Sequence, residues 1–215
     1  MMDGFKIYLK VYFYNINLLF MKLVFATNNH NKLKEVKQLL PASIELLSLK
    51  DIDCADDIIE SGKTIRDNAI IKSRYIYEKF GMNCFADDTG LEVDAIGGRP
   101  GVYSARFAGP ACRAEDNINK LLIELKGIEN RKANFRTVIS LMIDGKDQAF
   151  EGIVKGVITK EEMGSNGFGY DSVFKPDGFD KTFAEMSAEE KNEISHRGIA
   201  VNKLTSFIRE LKNKD

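Results

Sequence analysis

Apolar and polar positions follow two different periods along residues 21–215. The run KLVFAT predicts a strand, NNHN interrupts it, and KLKEVKQLL then has the spacing of an amphipathic helix. IELLSL predicts a second strand, and TIRDNAIIKSRYIYEKF predicts a long helix that Thr64 and Asp67 begin as a capping box. The first part of the chain is therefore predicted to run strand, helix, strand, helix.

The rest of the chain continues this alternation and adds a hairpin. NCFAD predicts a strand that LEVDAI either continues or pairs with, and NINKLLIEL predicts a helix. Two long β-rich runs flank Asp144-Gly145, a dipeptide typical of a two-residue hairpin turn. The Gly-rich loop GSNGFGYDSVF leads into a further strand, and a capping-box pattern at Ser187 and Glu190 comes before a final helix.

Helices interleaved with strands favour an α/β fold. We expect a long mixed β-sheet flanked by helices, with one lobe more antiparallel because of the hairpin. No internal repeat, low-complexity tract or linker divides the sequence. We therefore expect one two-lobed domain over residues 21–215, with an active-site cleft between the lobes.

The composition is that of an ordinary globular protein and excludes some functions. Of 215 residues, 44% are hydrophobic, and 31 Lys and Arg face 32 Asp and Glu, which gives a net charge of -1. This balance argues against a general nucleic-acid binder, which usually carries a basic excess. The three cysteines form no C-x-x-C pair and no zinc spacing, so we expect a reducing cytoplasm.

The first twenty residues, MMDGFKIYLKVYFYNINLLF, are apolar and aromatic but lack the features of a targeting segment. Asn15 and Asn17 interrupt the apolar core, and no A-x-A cleavage site follows. The run is also too short and too polar for a membrane helix. We expect residues 1–20 to lie outside the fold, either because Met21 is the natural start or because the segment is a dispensable arm.

The first polar cluster lies between the first strand and the first helix. It comprises Thr27, Asn28, Asn29, His30, Asn31 and Lys32. Backbone N–H groups at a helix N-terminus, a hydroxyl and an ammonium together suit a phosphate group. Taken alone, the segment fits a capped helix with a solvated lysine better.

Carboxylates form the second cluster. Asp87 and Asp88 end an apolar run and are followed by Thr89, while Glu60 lies just before the long helix. Carboxylates that meet in space are ligands for Mg²⁺, which also bridges to substrate phosphates. Side chains alternate faces along a strand, so Asp87 and Asp88 should point different ways. The alternative that DDTG is only a turn is equally favoured by its composition.

The last third of the chain holds two more clusters. GFGYD combines Phe168, Gly169, Tyr170 and Asp171, where an aromatic ring could stack on a base; a hairpin loop with buried aromatics is the alternative. EKNEISHRG presents Lys191, and Ser195 is positioned to cap the final helix. The cap puts His196 and Arg197 in the first helical turn. Cations there oppose the helix dipole, so we expect an anion between them; a surface basic patch is the alternative.

Several common nucleotide and metal signatures are missing. The sequence has no G-x-x-x-x-G-K-[ST] and no G-x-G-x-x-G. With two histidines, a His-rich zinc centre is implausible.

Four ordered motifs nevertheless resemble a known family. They are FATNNHNKLKEV, FADDTGLEVDAIGGRPGVYSARFAG, GFGYDSVF and TFAEMSAEEKNEISHRG, and they span the chain from about Met21 to its end. In this order they are similar to the inosine/xanthosine triphosphate pyrophosphatases, also called noncanonical purine NTP pyrophosphatases. One departure is Ser172, where relatives commonly have proline after FGYD.

The resemblance implies a two-lobed α/β fold, a homodimer, a required Mg²⁺ and hydrolysis of ITP, dITP or XTP to the monophosphate and pyrophosphate. It places Asp88 at the proton acceptor and metal ligand, and Glu60 at the second metal ligand. Substrate contacts are implied at Thr27, Asn28, Asn29, His30, Asn31, Lys32, Thr89, Phe168, Gly169, Tyr170, Asp171, Lys191, His196 and Arg197.

Two other functions stay open at this point. One is a pyrophosphatase of the septum-inhibition type that acts on other NTPs, and the other is a nucleotide-binding module without turnover. SHRG and FGYD favour hydrolysis of ITP, dITP or XTP over both alternatives. The resemblance also implies a house-cleaning role in the nucleotide pool. From the charge balance and the N-terminal segment we expect neither nucleic acid nor membrane as a partner.

Overall fold

The computed structural model describes residues 21–212, so the expectation for residues 1–20 lies outside the described residues. The strands are β1 (Met21–Phe25), β2 (Ile44–Ser48), β3 (Cys84–Val93), β4 (Arg99–Pro100), β5 (Lys132–Ile143), β6 (Lys146–Ile158) and β7 (Phe174–Pro176). The helices are α1 (His30–Leu39), α2 (Ile65–Phe80), α3 (Ala114–Glu124), α4 (Ala188–Ile194) and α5 (His196–Lys212). Four short 3₁₀ helices cover Lys50–Ile52, Asp94–Ile96, Gly101–Arg106 and Phe183–Glu185.

The seven strands form one mixed sheet, which confirms the predicted fold class. Its order is β2-β1-β3-β5-β6-β7, and β4 pairs with β3 off this path. β1 runs parallel to β2 and β3, whereas β3, β5, β6 and β7 pair antiparallel. Asp144 and Gly145 join β5 to β6 with φ angles of 48° and 77°, as a two-residue hairpin turn requires.

Helices cover both faces of the parallel part of the sheet because its strands are apolar on both sides. Leu23 and Phe25 of β1 pack with α1 and α5, while Val24 packs on the opposite face with Ile76 of α2. A third cluster fills the antiparallel end, between β5, β7 and α3. Phe85 and Ala86 of β3 belong to these same two clusters, so the strand that carries the paired acids is also packed on both faces.

One prediction about local structure is corrected. Asp87 through Gly90 lie inside β3, which runs without interruption to Val93, so the reading of DDTG as a turn is wrong. The sheet continues because all ten residues of β3 pair with β5. The segment GGRPGVYSARFAG contains β4 and the 3₁₀ helix Gly101–Arg106. Within residues 21–212, the helices are too short or too polar to span a membrane.

Candidate active site

A cleft of about 800 Å³ opens where the segment after β1, the middle of β3 and the first turn of α5 meet. The predicted residues that line it are Thr27, Asn28, Asn29, Asn31, Lys32, Glu60, Asp88, Thr89, Phe168, Gly169, Tyr170, Asp171, Lys191, His196 and Arg197. The remaining predicted residue, His30, is exposed at the start of α1 and is not among the lining residues.

The segment after β1 forms a helix cap with an inward-pointing lysine. The Asn29 side chain accepts hydrogen bonds from the backbone N–H groups of Asn31 and Lys32, at 3.0 and 3.1 Å. The Lys32 ammonium donates to Asp87 at 2.9 Å, and its side chain is 14% exposed. The capped helix is confirmed, but the solvated lysine is not, because the ammonium is drawn under the cleft by a buried carboxylate.

Asp87 and Asp88 point to opposite faces of β3, as strand alternation predicts. Asp87 is fully buried and accepts from Lys32 and from Nε of Arg197 at 3.0 Å. Burial alone would raise the pKa of Asp87, but the charges of Lys32 and Arg197 hold it well below its usual range. Asp87 therefore remains ionised and ties two cations together beneath the cleft.

Asp88 belongs to a separate group that faces the cleft. Its carboxylate lies 3.5 Å from the ammonium of Lys72 and 3.4 Å from the amide nitrogen of Asn68. Lys72 also donates to Glu60 at 2.6 Å and to the Asp87 carbonyl at 2.8 Å. Burial raises the pKa of Asp88, and the ammonium of Lys72 opposes part of that rise.

The donor set of this group fits a hard divalent cation. Among residues 21–212, no three His, Cys, Asp or Glu side chains gather as a metal site. Two carboxylates do lie in the same part of the cleft, since the Lys72 ammonium contacts both Glu60 and Asp88. Mg²⁺ is commonly held by one or two carboxylates, with water and substrate phosphate completing its octahedron, so two acids suffice.

Glu35 of α1 pairs with two cations that line the cleft, Lys191 and Arg197. It accepts from Lys191 at 2.7 Å and from Arg197 at 2.5 Å, and Lys191 donates to Asp171 at 2.6 Å. The expectation that an external anion explains the cations of the first turn of α5 is therefore corrected. Glu35 and Asp87 already supply negative charge to Arg197.

His196 is not one of these cations. Burial, together with the nearby charges of Arg197 and Lys191, holds its pKa well below 6.5, so the ring is neutral at pH 7. The ring stacks on Phe135 with centroids 4.5 Å apart, and its Nδ1 is buried without a hydrogen-bond partner among residues 21–212. The neutral ring is therefore held by stacking, and it adds no positive charge to the cleft.

The GFGYD segment contributes one aromatic face to the cleft and one anchor beneath it. Phe168 is partly exposed, and the charged groups of Lys191 and Arg197 lie 5.0 and 5.7 Å from the centre of its ring. Tyr170 is buried and donates its hydroxyl to the Ser104 carbonyl at 2.9 Å. Phe168 is accordingly available to stack on a base, whereas Tyr170 holds its loop against the Gly101–Arg106 helix.

Comparison with known proteins places the chain in a family. The sequence model of the Ham1 family matches residues 23–207. The chain belongs to the Ham1 family. This confirms the family expected from the four motifs.

Relatives and solved structures of the Ham1 family agree over nearly their whole length. Proteins named dITP/XTP pyrophosphatase from Flavobacterium johnsoniae and Christiangramia forsetii are 57% and 54% identical, covering 87% of this chain and 98% and 99% of theirs. Solved Ham1 structures from Staphylococcus aureus and Coxiella burnetii have TM-scores of 0.81 and 0.82 at 39% and 36% identity. Each covers 88% of this chain, and 98% and 99% of the respective structure is matched.

Two central members of the site in this Ham1 chain, Lys72 and Glu35, are not among the residues predicted from the sequence. Lys72 had a usable signal, since it lies three residues after Ala69 and four before Ile76, on the buried face of α2. A lysine on an apolar helix face requires a buried partner. Glu35 lies one turn after Lys32, but only the folded chain brings it to Lys191 and Arg197, more than 150 residues away.

Proposed function

We propose that this protein hydrolyses dITP, ITP and XTP to the nucleoside monophosphate and pyrophosphate. The observation that carries the proposal is the division of one cleft into two chemical halves. One half holds Lys32, Lys72, Glu60 and Asp88, and the other holds the Phe168 ring beside cationic groups. The names of the relatives, dITP/XTP pyrophosphatase, support the same reaction.

The phosphate half would bind the triphosphate. The Thr27–Lys32 segment provides a helix N-terminus, and the fixed ammonium groups of Lys32 and Lys72 lie at the floor of the cleft. Positive charge placed before the substrate arrives needs little reorganisation during the reaction, which is how such sites stabilise developing negative charge. Thr89 would add a hydroxyl contact, since its oxygen already accepts from Arg197 at 3.1 Å.

Asp88 and Glu60 would hold a Mg²⁺ ion. When bound, this ion polarises phosphate oxygens and neutralises charge on the leaving pyrophosphate. The two carboxylates suit it because they face each other across the Lys72 ammonium. The cofactor is tested directly: turnover should stop with excess EDTA and return with MgCl₂, while persistence in EDTA would contradict it.

In the chemical step, a water oxygen would attack the α-phosphorus as the bond to the pyrophosphate oxygen breaks. Asp88 would orient this water and accept its proton. Lys72, held by Glu60 and the Asp87 carbonyl, would keep the Asp88 carboxylate in place. Positioning and electrostatics would supply more of the rate than proton transfer.

The second half of the cleft would select the base. Phe168 provides a stacking face, and the donors of Lys191 and Arg197 beside it suit the O6 and N7 acceptors of a 6-keto purine. Adenine would direct its amino group at these donors. A buried donor left without an acceptor costs about 1–3 kcal/mol, which would disfavour ATP.

We also infer from the resemblance that the active unit is a homodimer of the 21–215 domain in the cytoplasm. The mass of the purified protein, measured by light scattering, tests the dimer. A variant that begins at Met21 tests the domain boundary, and we expect it to fold and turn over substrate like the full chain.

Turnover tests the central proposal. Pyrophosphate release with MgCl₂ should be fast for ITP, dITP and XTP and slow for ATP, GTP, dTTP and UTP. A protein that releases pyrophosphate from none of them would contradict the enzyme reading and favour a binding module. Preference for another NTP would favour the septum-inhibition type, and equal rates on ITP and ATP would refute the base selection.

A further inference from the structure

The cations that line the cleft differ sharply in how firmly they are paired. Lys32, Lys72, Lys191 and Arg197 each have a carboxylate within 3.0 Å, and their side chains are 14% exposed or less. Arg106 also lines the cleft, but its guanidinium is 3.9 Å from Glu60 and its side chain is 35% exposed. Its charge is the most available of the five.

The backbone that carries Arg106 is firmly held even though its side chain is loosely paired. The Gly101–Arg106 helix lies directly on β3 because Gly90 has no side chain; a Cβ there would come within 2.5 Å of the Gly101 carbonyl oxygen. Ser104 accepts from the Leu91 N–H at 2.8 Å and donates to Gly101 at 2.6 Å, and Tyr170 bonds the Ser104 carbonyl. The guanidinium is therefore presented from a fixed position.

The immediate neighbours of this guanidinium belong to the phosphate half of the cleft. Glu60 contacts both Arg106 and Lys72, and Lys72 contacts Asp88. On its outer side Arg106 lies over the Tyr103 ring, 5.2 Å from its centre, which limits how far the side chain can swing into solvent. Arg106 is thus placed beside the group to which we assign the triphosphate.

The charges of the cleft show why a loosely paired cation such as Arg106 matters for binding a triphosphate. The five cations of the cleft pair with five carboxylates, Glu35, Glu60, Asp87, Asp88 and Asp171, so the formal charges of these ten groups cancel before a ligand binds. A triphosphate needs positive charge that is not already neutralised by short contacts. A weakly paired guanidinium can leave its carboxylate at the lowest cost and form a bidentate contact with phosphate.

We propose that Arg106 is a further substrate-binding residue, whose guanidinium moves from Glu60 to the triphosphate of the bound nucleotide. This inference rests on the proposed function, because it takes the triphosphate to lie in this half of the cleft. It assigns a role to the SAR segment that follows GVY, which the site residues expected from the motifs do not include.

Arg106→Gln tests the inference, with inorganic tripolyphosphate and inosine as separate probes of the two halves. In buffer with MgCl₂, the variant should bind tripolyphosphate about tenfold or more weakly, the loss typical of one charge-assisted contact. Inosine carries no phosphate, so its binding should be unchanged. Arg106→Lys keeps the charge but not the bidentate geometry of the guanidinium, so it should lose a smaller part of the tripolyphosphate affinity.

Arg113→Gln is the matched control, because Arg113 is 65% exposed and pairs with surface acids outside the cleft lining. It should leave the binding of both probes unchanged. Equal tripolyphosphate affinity in wild type and Arg106→Gln, or an equal loss of inosine binding, would overturn the inference. Failure of the wild type to hydrolyse ITP would instead count against the proposed function, since tripolyphosphate binding is measured without turnover.

Discussion

Asp87 and Arg197, 110 residues apart in the sequence, form an ion pair that is almost completely shielded from solvent. The guanidinium Nε donates to the carboxylate at 3.0 Å, and the two side chains are 2% and 0% exposed. Lys32 completes the arrangement from α1. One buried acid of β3 thus fixes two cations of the cleft, while its neighbour Asp88 is free to face the substrate side.

Asp87→Asn should destabilise the fold strongly. Removing one partner of a buried ion pair leaves an uncompensated charge and costs about 3–5 kcal/mol. Urea unfolding at pH 7 measures this loss in the free energy of unfolding. Asp147→Asn, an exposed acid on β6, should change it by less than about 0.5 kcal/mol. A loss at Asp87 no larger than at Asp147 would contradict the structural role.

The same acid should make stability sensitive to low pH. The pKa of Asp87 is lower in the folded state than the value of about 3.9 in an unfolded chain. Its stabilising contribution is therefore complete above about pH 4 and is lost as the pH falls toward and through the folded-state pKa. We expect the stability difference between wild type and Asp87→Asn to shrink below about pH 4. A difference that stays constant down to the acid limit would refute this.

Asp88→Asn should remove turnover while leaving the fold nearly intact. An amide cannot accept the proton of the attacking water, and losing a positioned base costs about 10²–10⁴-fold in rate. Rates of pyrophosphate release from ITP measure the effect, and unfolding should shift by about 1 kcal/mol or less. Asp57→Asn, an exposed acid at the edge of the same cleft, is the matched control. A comparable loss at Asp57, or near-full rate in Asp88→Asn, would contradict the assignment.

Lys72→Met should strengthen Mg²⁺ binding to the nucleotide-free protein. The Lys72 ammonium lies between Glu60 and Asp88 and repels a second cation from them. Methionine keeps much of the side-chain volume without the charge, so affinity should rise about tenfold. Calorimetric titration with MgCl₂ measures it. The control is Lys79→Met, at the exposed end of α2 beside Asp56, which should leave the Mg²⁺ affinity unchanged. If Lys72→Met also left the Mg²⁺ affinity unchanged, the metal would have to bind elsewhere.

Gly152→Ala should displace the first turn of α5. A Cβ at Gly152 would lie 2.0 Å from the His196 carbonyl oxygen, so the backbone next to His196 and Arg197 must move. Overpacking of this kind costs about 1–3 kcal/mol, and KM for ITP should rise because the base-binding half shifts. Gly156→Ala crowds β7 from the same strand and should lower stability with a smaller change in KM. Equal KM changes in both variants would show that general destabilisation is the cause.

Local patterns were sufficient to predict most of the elements of this fold. The period of KLKEVKQLL, the capping boxes at Thr64 and Ser187 and the Asp144-Gly145 turn all appear as expected. Each of these signals depends on residues within a few positions of one another. The DDTG segment was ambiguous for the same reason, because turn-forming residues can be carried within a strand that is paired along its whole length.

The sequence by itself determined the order of elements, the family resemblance and the opposite directions of Asp87 and Asp88. Only the tertiary structure decided which charges meet. Lys32 and Arg197 reach Asp87 across 55 and 110 residues, and Lys191 and Arg197 reach Glu35 across more than 150. It also decided that His196 is neutral while Arg197, its neighbour, is doubly paired. Burial and long-range contacts set these states, and neither is encoded in the local spacing of residues.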